Sequence, residues 1–186
     1  MSKIVIFSNS IIIEKKENKS INNLILKELY NHKKNNKGRS VSNMGGFQSK
    51  GDNLIVSKFL LNTSIKYLNN HYPLQQIKIN LVEYWINENL KNNYNAFHLH
   101  PECHFSGVYY INVPKNSGNI KFKRNDLTFE YTNLYRYFQN TDSFTTYTVV
   151  PENNLLLLFP SNLYHCVESN LSNEPRISVA FNLRLS

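Results

Sequence analysis

Three histidines and one late arginine fall in an order that metal-dependent oxygen chemistry requires. The first segment is Phe97-His98-Leu99-His100-Pro101-Glu102-Cys103-His104. The second is the apolar run Leu155 to Phe159, continuing through Pro160-Ser161-Asn162-Leu163-Tyr164 to His165. Eleven residues later comes Arg176-Ile177-Ser178-Val179-Ala180-Phe181-Asn182. An H-x-H pair, a distant His and a basic residue on a last strand suggest a mononuclear iron site with an anionic cosubstrate. Non-haem Fe(II) is held on one face by His and carboxylate ligands, leaving positions open for reaction.

Strand geometry gives this pattern its force. Residues i and i+2 share a face, so His98 and His100 can point together into a barrel mouth. Pro101 ends regular pairing, which suits a cavity rim. On the final strand, Arg176, Ser178, Ala180 and Asn182 share one face, while Ile177, Val179, Phe181 and Leu183 share the other. A guanidinium and a hydroxyl can thus enter the pocket together, and Arg forks well onto a carboxylate.

Each piece alone is weak. A lone His is more often a surface or core residue than a ligand, and an edge-strand Arg is usually solvated. H-x-H also occurs in zinc sites. His104 is the main competitor in the first cluster, but Pro101 separates it from His98 and His100. His32 and His71 lie in or beside helical segments and are read as surface residues. Cys103 and Cys166 flank candidate ligands. An ordinary structural role is favoured for both, since Cys166 follows His165 directly and would point to the opposite face of a strand.

The elements that must position these groups follow from periodicity. Ile4 to Ile13 is a β-branched opening strand, or two short ones. Ser20 is placed as the cap of a helix over Ile21 to His32, with Ile21, Leu24, Ile25 and Leu29 at helical spacing. Ser42 to Ser49 is expected to be a loop with a glycine pair, which lacks the residues of a phosphate-cradling motif. A second helix spans roughly Asn53 to Asn69, and Pro73 closes that region. From Gln76 onward the chain reads as strands: residues 77–86, Phe105 to Val113, Ile120 to Phe122, Leu127 to Tyr131, Thr145 to Val150, Leu155 to Phe159 and Ile177 to Leu185.

Two helices followed by many short strands predict a mainly β fold: a β-sandwich or jelly roll with helices on one side. The 186 residues fit one domain, residues 1–75 supplying the opening strand and supporting helices and residues 76–186 the barrel. Two cysteines do not suggest a secreted disulfide scaffold. No apolar run approaches membrane length, and no signal-peptide pattern is present. A cytoplasmic protein is the expectation, in a host cytoplasm if the source is viral. Abundant Asn, Lys and Ile fit an AT-rich microbial or viral genome. The net charge of +8 favours anionic partners. Nucleic acid is compatible with this but not favoured, because the lysines are dispersed.

These residues resemble the 2-oxoglutarate/Fe(II)-dependent oxygenases, most closely a microbial and phage-associated group. Three blocks carry the resemblance: H-x-H-P running into Ser106-Gly107-Val108-Tyr109-Tyr110, the Leu-Phe-Pro-Ser block ending at His165, and Arg176 to Asn182. Gly45-Gly46-Phe47-Gln48-Ser49 and Trp85-Ile86-Asn87 are weaker echoes. The resemblance implies a double-stranded β-helix of the jelly-roll, cupin-like kind. It implies Fe(II) at His98 and His165, with 2-oxoglutarate on the iron and its far carboxylate on Arg176 and Ser178. It implies reaction with O2, release of CO2 and succinate, and hydroxylation of a small-molecule or peptidyl substrate.

One departure stands out. Where this superfamily places Asp or Glu two residues after the first His, this chain has His100. Either His100 is the third ligand, or water completes a two-His site, or Glu102 swings in. His100 is favoured because imidazole suits Fe(II) and its side-chain direction is right. Trp85, Asn87, Tyr109 and Asn182 are candidates for substrate or cosubstrate contact, or else core residues. Two other functions compete: a cupin-like zinc enzyme, which does not require the Arg176-x-Ser178 fork, and a non-catalytic jelly-roll binding protein, which would be free to lose its ligands.

Overall fold

Alternating apolar and polar positions build two antiparallel sheets whose inner faces enclose the site. The computed structural model describes residues 9–72, 77–125, 136–137 and 144–186. In chain order the elements are β1 (Ile12–Lys15), α1 (Lys19–Asn35), β2 (Asn43–Met44), β3 (Phe47–Lys50), α2 (Leu54–His71), β4 (Ile79–Asn89), β5 (Tyr94–His98), β6 (Phe105–Asn112), β7 (Ile120–Lys123), β8 (Thr146–Val149), β9 (Leu155–Pro160), β10 (Tyr164–Val167) and β11 (Arg176–Leu185). The major sheet has the order β1-β9-β6-β11-β4-β3, and the minor sheet β2-β5-β10-β7-β8. This is the expected jelly roll with helices on one side.

The two faces of the major sheet have different partners. Its outer side chains, including Tyr84, Ile86, Tyr109, Leu156, Leu158, Val179 and Phe181, pack with Ile25, Leu29, Val56, Leu60 and Leu68 of the helices. Its inner side chains Val108, Tyr110, Leu155, Leu157 and Phe159 meet Ile120, Phe122 and Val149 of the minor sheet. Gly107 lies beneath Phe181, whose ring fills the space a Cβ would need.

Local chemistry moves several boundaries. Helix α1 starts at Lys19 because Asn18, not Ser20, caps it: its side chain accepts from the Ile21 N–H at 3.1 Å. Helix α2 is capped by Asn53, which accepts from Ile55 and Val56. The segment expected to be a loop around the glycine pair forms β2 and β3, with Gly45 at φ +81° in the turn. Strands β5 and β10, which carry ligand candidates, are short enough that no alternation announces them. The expected strand at Leu127 to Tyr131, the Pro73 stop and residues 4–8 of the opening strand lie outside the described residues. Among the described residues, no helix is long and apolar enough to cross a membrane.

Candidate active site

Strand register brings His98 and His165 face to face. β5 and β10 pair antiparallel with His165 opposite His98. His100 lies just past the end of β5, and its backbone N–H donates to the Ser161 carbonyl at 2.9 Å, holding this segment beside the turn that precedes β10. The ring centroids are 4.3 Å apart for His98 and His165, 5.0 Å for His98 and His100, and 5.2 Å for His100 and His165. One nitrogen from each ring can be chosen so that all three lie within 4.8 Å of one another.

The rings are oriented by their other nitrogens. The Nδ1 of His98 meets the Ala96 carbonyl at 2.7 Å, and that of His165 meets the Leu163 carbonyl at 2.8 Å. A carbonyl only accepts, so Nδ1 carries the proton and Nε2 keeps its lone pair for a metal. Burial holds His165 down to about 3, reinforced by the neighbouring His98. Burial and His98 together hold His100 at about 4, and burial lowers His98. All three are therefore neutral near pH 7, the state a metal requires.

The other candidates near this cluster separate from it. Glu102 is exposed, at φ +65°. The His104 Nδ1 accepts from the Leu185 N–H at 3.1 Å. Neither joins the cluster, and neither do Cys103 and Cys166. His71 is exposed as expected, but His32 is half-buried, 3.6 Å from Asp52. His32, Asp52 and Glu28 form a second group of potential ligands on the helical side. The Glu28 carboxylate there is already committed, accepting from the Asp52 N–H and the Tyr84 hydroxyl, each at 2.7 Å.

The inner face of the major sheet forms rungs of paired residues. Gln48, Asn87, Ser178 and Tyr110 form one rung across β3, β4, β11 and β6. Trp85, Ala180, Val108 and Leu157 form the next, and Glu83, Asn182, Ser106 and Phe159 the one beyond. The histidines face the last two: His100 lies 5.5 Å from Trp85 and His165 4.8 Å from Phe159. Arg176 sits at the far end, four residues or about 13 Å of strand from Ala180.

Arg176 is 1% exposed. Its Nη1 donates to the carbonyls of Ser117, Gly118 and Glu168. Its Nη2 is buried without a partner among the described residues. Among the described residues no carboxylate pairs with it. An unmatched buried guanidinium nitrogen is costly, and an anion inside the barrel would remove that cost.

The remaining candidates divide by face. Trp85 lines a cavity of about 480 Å³ together with His98, His100, Gln48, Arg39, Glu83 and Asn182. Asn182 accepts from the Ser106 hydroxyl at 2.8 Å, and Asn87 from the Gln48 amide at 3.0 Å. Tyr109 needs correction as a site contact. It pairs with Val179 on the helical side, and its hydroxyl lies 2.9 Å from both the Lys16 carbonyl and Asn22 Oδ1. Its neighbour Tyr110 is the inward residue, and its interaction with Arg176 opposes the rise that burial imposes on its hydroxyl. The sequence carries no signal that separates Tyr110 from Tyr109; the pairing of Ser178 with Tyr110 does so.

Two antiparallel sheets thus enclose a cluster of three histidines that could hold a metal ion, and the same sheet carries a buried guanidinium. A family model described as "Putative 2OG-Fe(II) oxygenase" matches residues 83–182, more than half of the chain. The chain belongs to this family of 2-oxoglutarate-dependent oxygenases, which use Fe(II), 2-oxoglutarate and O2. Among solved structures it is similar to a prolyl-4-hydroxylase from Pseudomonas putida, at 13% identity over 95% of this chain and 94% of that one, TM-score 0.63. It is similar to a Trichoplax adhaerens prolyl hydroxylase solved with a hypoxia-inducible-factor peptide, at 16% identity over 95% and 84%, TM-score 0.64. A collagen prolyl hydroxylase from Paramecium bursaria Chlorella virus-1, solved with 2-oxoglutarate, matches at 9% identity over 93% and 94%, TM-score 0.59. At such identities the likeness shows the fold. No curated protein matches the chain in sequence.

Proposed function

We propose that this protein is an Fe(II)- and 2-oxoglutarate-dependent hydroxylase. His98, His100 and His165 hold the iron, and Arg176 holds the far carboxylate of 2-oxoglutarate, with Ser178 and Tyr110 beside it. The observation that carries this reading is the unpartnered Arg176 Nη2, buried on the inner face of the barrel that the three histidines close.

The residues fit both groups. Three neutral imidazoles, two of them fixed by backbone carbonyls, suit Fe(II). A buried guanidinium with one end anchored and the other free suits a carboxylate. When bound, iron and 2-oxoglutarate supply the oxidising chemistry: O2 and 2-oxoglutarate are consumed, CO2 and succinate leave, and a substrate C–H becomes C–OH.

The chain contributes position and exclusion of water. Arg176, anchored by three carbonyls, fixes how deep the acid sits. Phe122, Phe159 and Leu157 form a dry wall behind His165. The substrate, a small molecule or a peptidyl side chain, enters the cavity lined by Trp85, Asn182, His98 and His100. A zinc enzyme on a cupin-like barrel leaves the Arg176 position unexplained, and a non-catalytic jelly roll leaves the intact histidine cluster unexplained.

The test is turnover. Purified protein with Fe(II), ascorbate and O2 should convert 2-oxoglutarate to succinate, and His165→Ala should abolish this. Tight zinc binding with no succinate above the His165→Ala background would refute it.

A further inference from the structure

Two residues that line the cavity with His98 and His100 each carry a buried polar atom with no partner among the described residues: Gln48 Oε1 and Arg39 Nε. Neither is used in holding the metal or the acid. Gln48 is only 2% exposed. Its Nε2 donates to Asn87 Oδ1 at 3.0 Å, which leaves Oε1 as a bare acceptor. Both Nη atoms of Arg39 lie 3.5 Å from Glu83 Oε2. Its guanidinium also sits over the Trp85 ring, 5.6 Å from the centroid. Its charge is thus already met, and Nε–H is the donor left over. The two residues are tied together, the Arg39 N–H donating to the Gln48 carbonyl at 2.8 Å.

An unpaired acceptor and an unpaired donor on two residues of one cavity call for a ligand with the reverse pair. 2-Oxoglutarate cannot supply it, because two carboxylates and a ketone offer no donor. A carboxylate on the substrate would meet Gln48 Oε1 lone pair to lone pair. An amide fits: its carbonyl accepts from Arg39 Nε, and its N–H donates to Gln48 Oε1. The wall also offers apolar surface beside its polar groups: Trp85 under the Arg39 guanidinium, and Val41, Phe97 and Leu99, all three exposed.

Resting on the reading that the substrate reacts at the His98–His100 face, we infer that Gln48 and Arg39 are specificity-determining residues for a substrate bearing an amide on an apolar body. A carboxamide side chain and a peptide bond share this chemistry.

The test uses full-length protein loaded with Zn(II) and 2-oxoglutarate. Binding is read from the fluorescence of Trp85, the chain's single tryptophan. The probes are UV-transparent and of matched shape: cyclohexanecarboxamide, its N-methyl amide and cyclohexanecarboxylate. One hydrogen bond to a buried group shifts affinity by up to about tenfold, so the better amide should bind about tenfold tighter than the carboxylate. Preference for the primary amide assigns a carboxamide, and equal or better binding of the N-methyl amide assigns a peptide bond. In Gln48→Met or Arg39→Met, either of which suffices, the amide-to-carboxylate ratio should fall below twofold. A merely structural role would lower stability without moving that ratio. Tighter binding of the carboxylate would show that the pair presents two donors and would overturn the inference. So would equal binding of all three probes, or a ratio unchanged in the folded variants. Succinate formation by the iron-loaded wild type is scored separately. Succinate without amide preference sinks only this inference. Amide preference without succinate sinks only the hydroxylase reading.

Discussion

Replacing Arg176 should separate the structural job its contacts show from the binding job proposed for it. Nη1 donates to the Ser117, Gly118 and Glu168 carbonyls, which close the end of the barrel. Nη2 has no partner among the described residues, and the proposed function gives it the carboxylate. In Arg176→Ala the acid loses a charge-assisted contact worth on the order of 2–5 kcal/mol, so its Kd should rise by roughly 30- to 5000-fold. Losing the three carbonyl contacts should cost the fold about 2–4 kcal/mol, discounted for shared geometry. Arg176→Lys restores a charge but not the fork, so its Kd should fall between those of wild type and Ala. The assay is equilibrium binding of 2-oxoglutarate to the Zn(II)-loaded protein, with urea melts giving the stability change. If Arg176→Ala loses stability but keeps wild-type 2-oxoglutarate affinity, Arg176 is only a strut and the assignment fails.

The other predictions concern the metal and the two tyrosines. Iron content should drop about as severely in His100→Ala as in His98→Ala or His165→Ala, while Glu102→Ala stays near wild type; iron kept by His100→Ala but lost by Glu102→Ala would restore a two-His-one-carboxylate site. Burial lowers all three histidines in the fold, so below the unfolded value near 6.5 the unfolded chain binds more protons. Metal-free protein should therefore lose stability as pH falls from about 6.5 towards 4, each histidine adding up to about 1.4 kcal/mol per pH unit; urea melts that are flat over this range would contradict it. Tyr110→Phe should weaken 2-oxoglutarate binding, whereas Tyr109→Phe should cost about 1 kcal/mol of stability and leave that binding unchanged.

Much of this was legible in the chain. Alternation in Arg176 to Leu185 correctly divided β11 into an apolar face and a polar one, and apolar runs located β6 and β9. What failed was parity between strands. Tyr109 and Tyr110 are adjacent, and only the pairing of Ser178 with Tyr110 decides which of them faces inward. Gln48 was hidden for a related reason. A glycine pair suggests a loop, and only the pairing of β3 with β4 turns Gln48 inward. The carbonyls that orient His98 and His165 were invisible because every residue has one, and only the fold selects which is near. Asn18 outcompeted Ser20 as a helix cap through a local hydrogen bond that composition does not reveal.

The central claim is one iron and one 2-oxoglutarate held together by the histidine cluster and Arg176. Anaerobic titration of wild-type protein with Fe(II) and then 2-oxoglutarate measures this directly, through the weak visible charge-transfer absorption of an iron-bound keto acid. A band should appear and saturate at one equivalent of each per chain. It should be absent in His165→Ala and require much more 2-oxoglutarate in Arg176→Ala. Absence of the band in wild-type protein that has bound a full equivalent of Fe(II) would contradict the account.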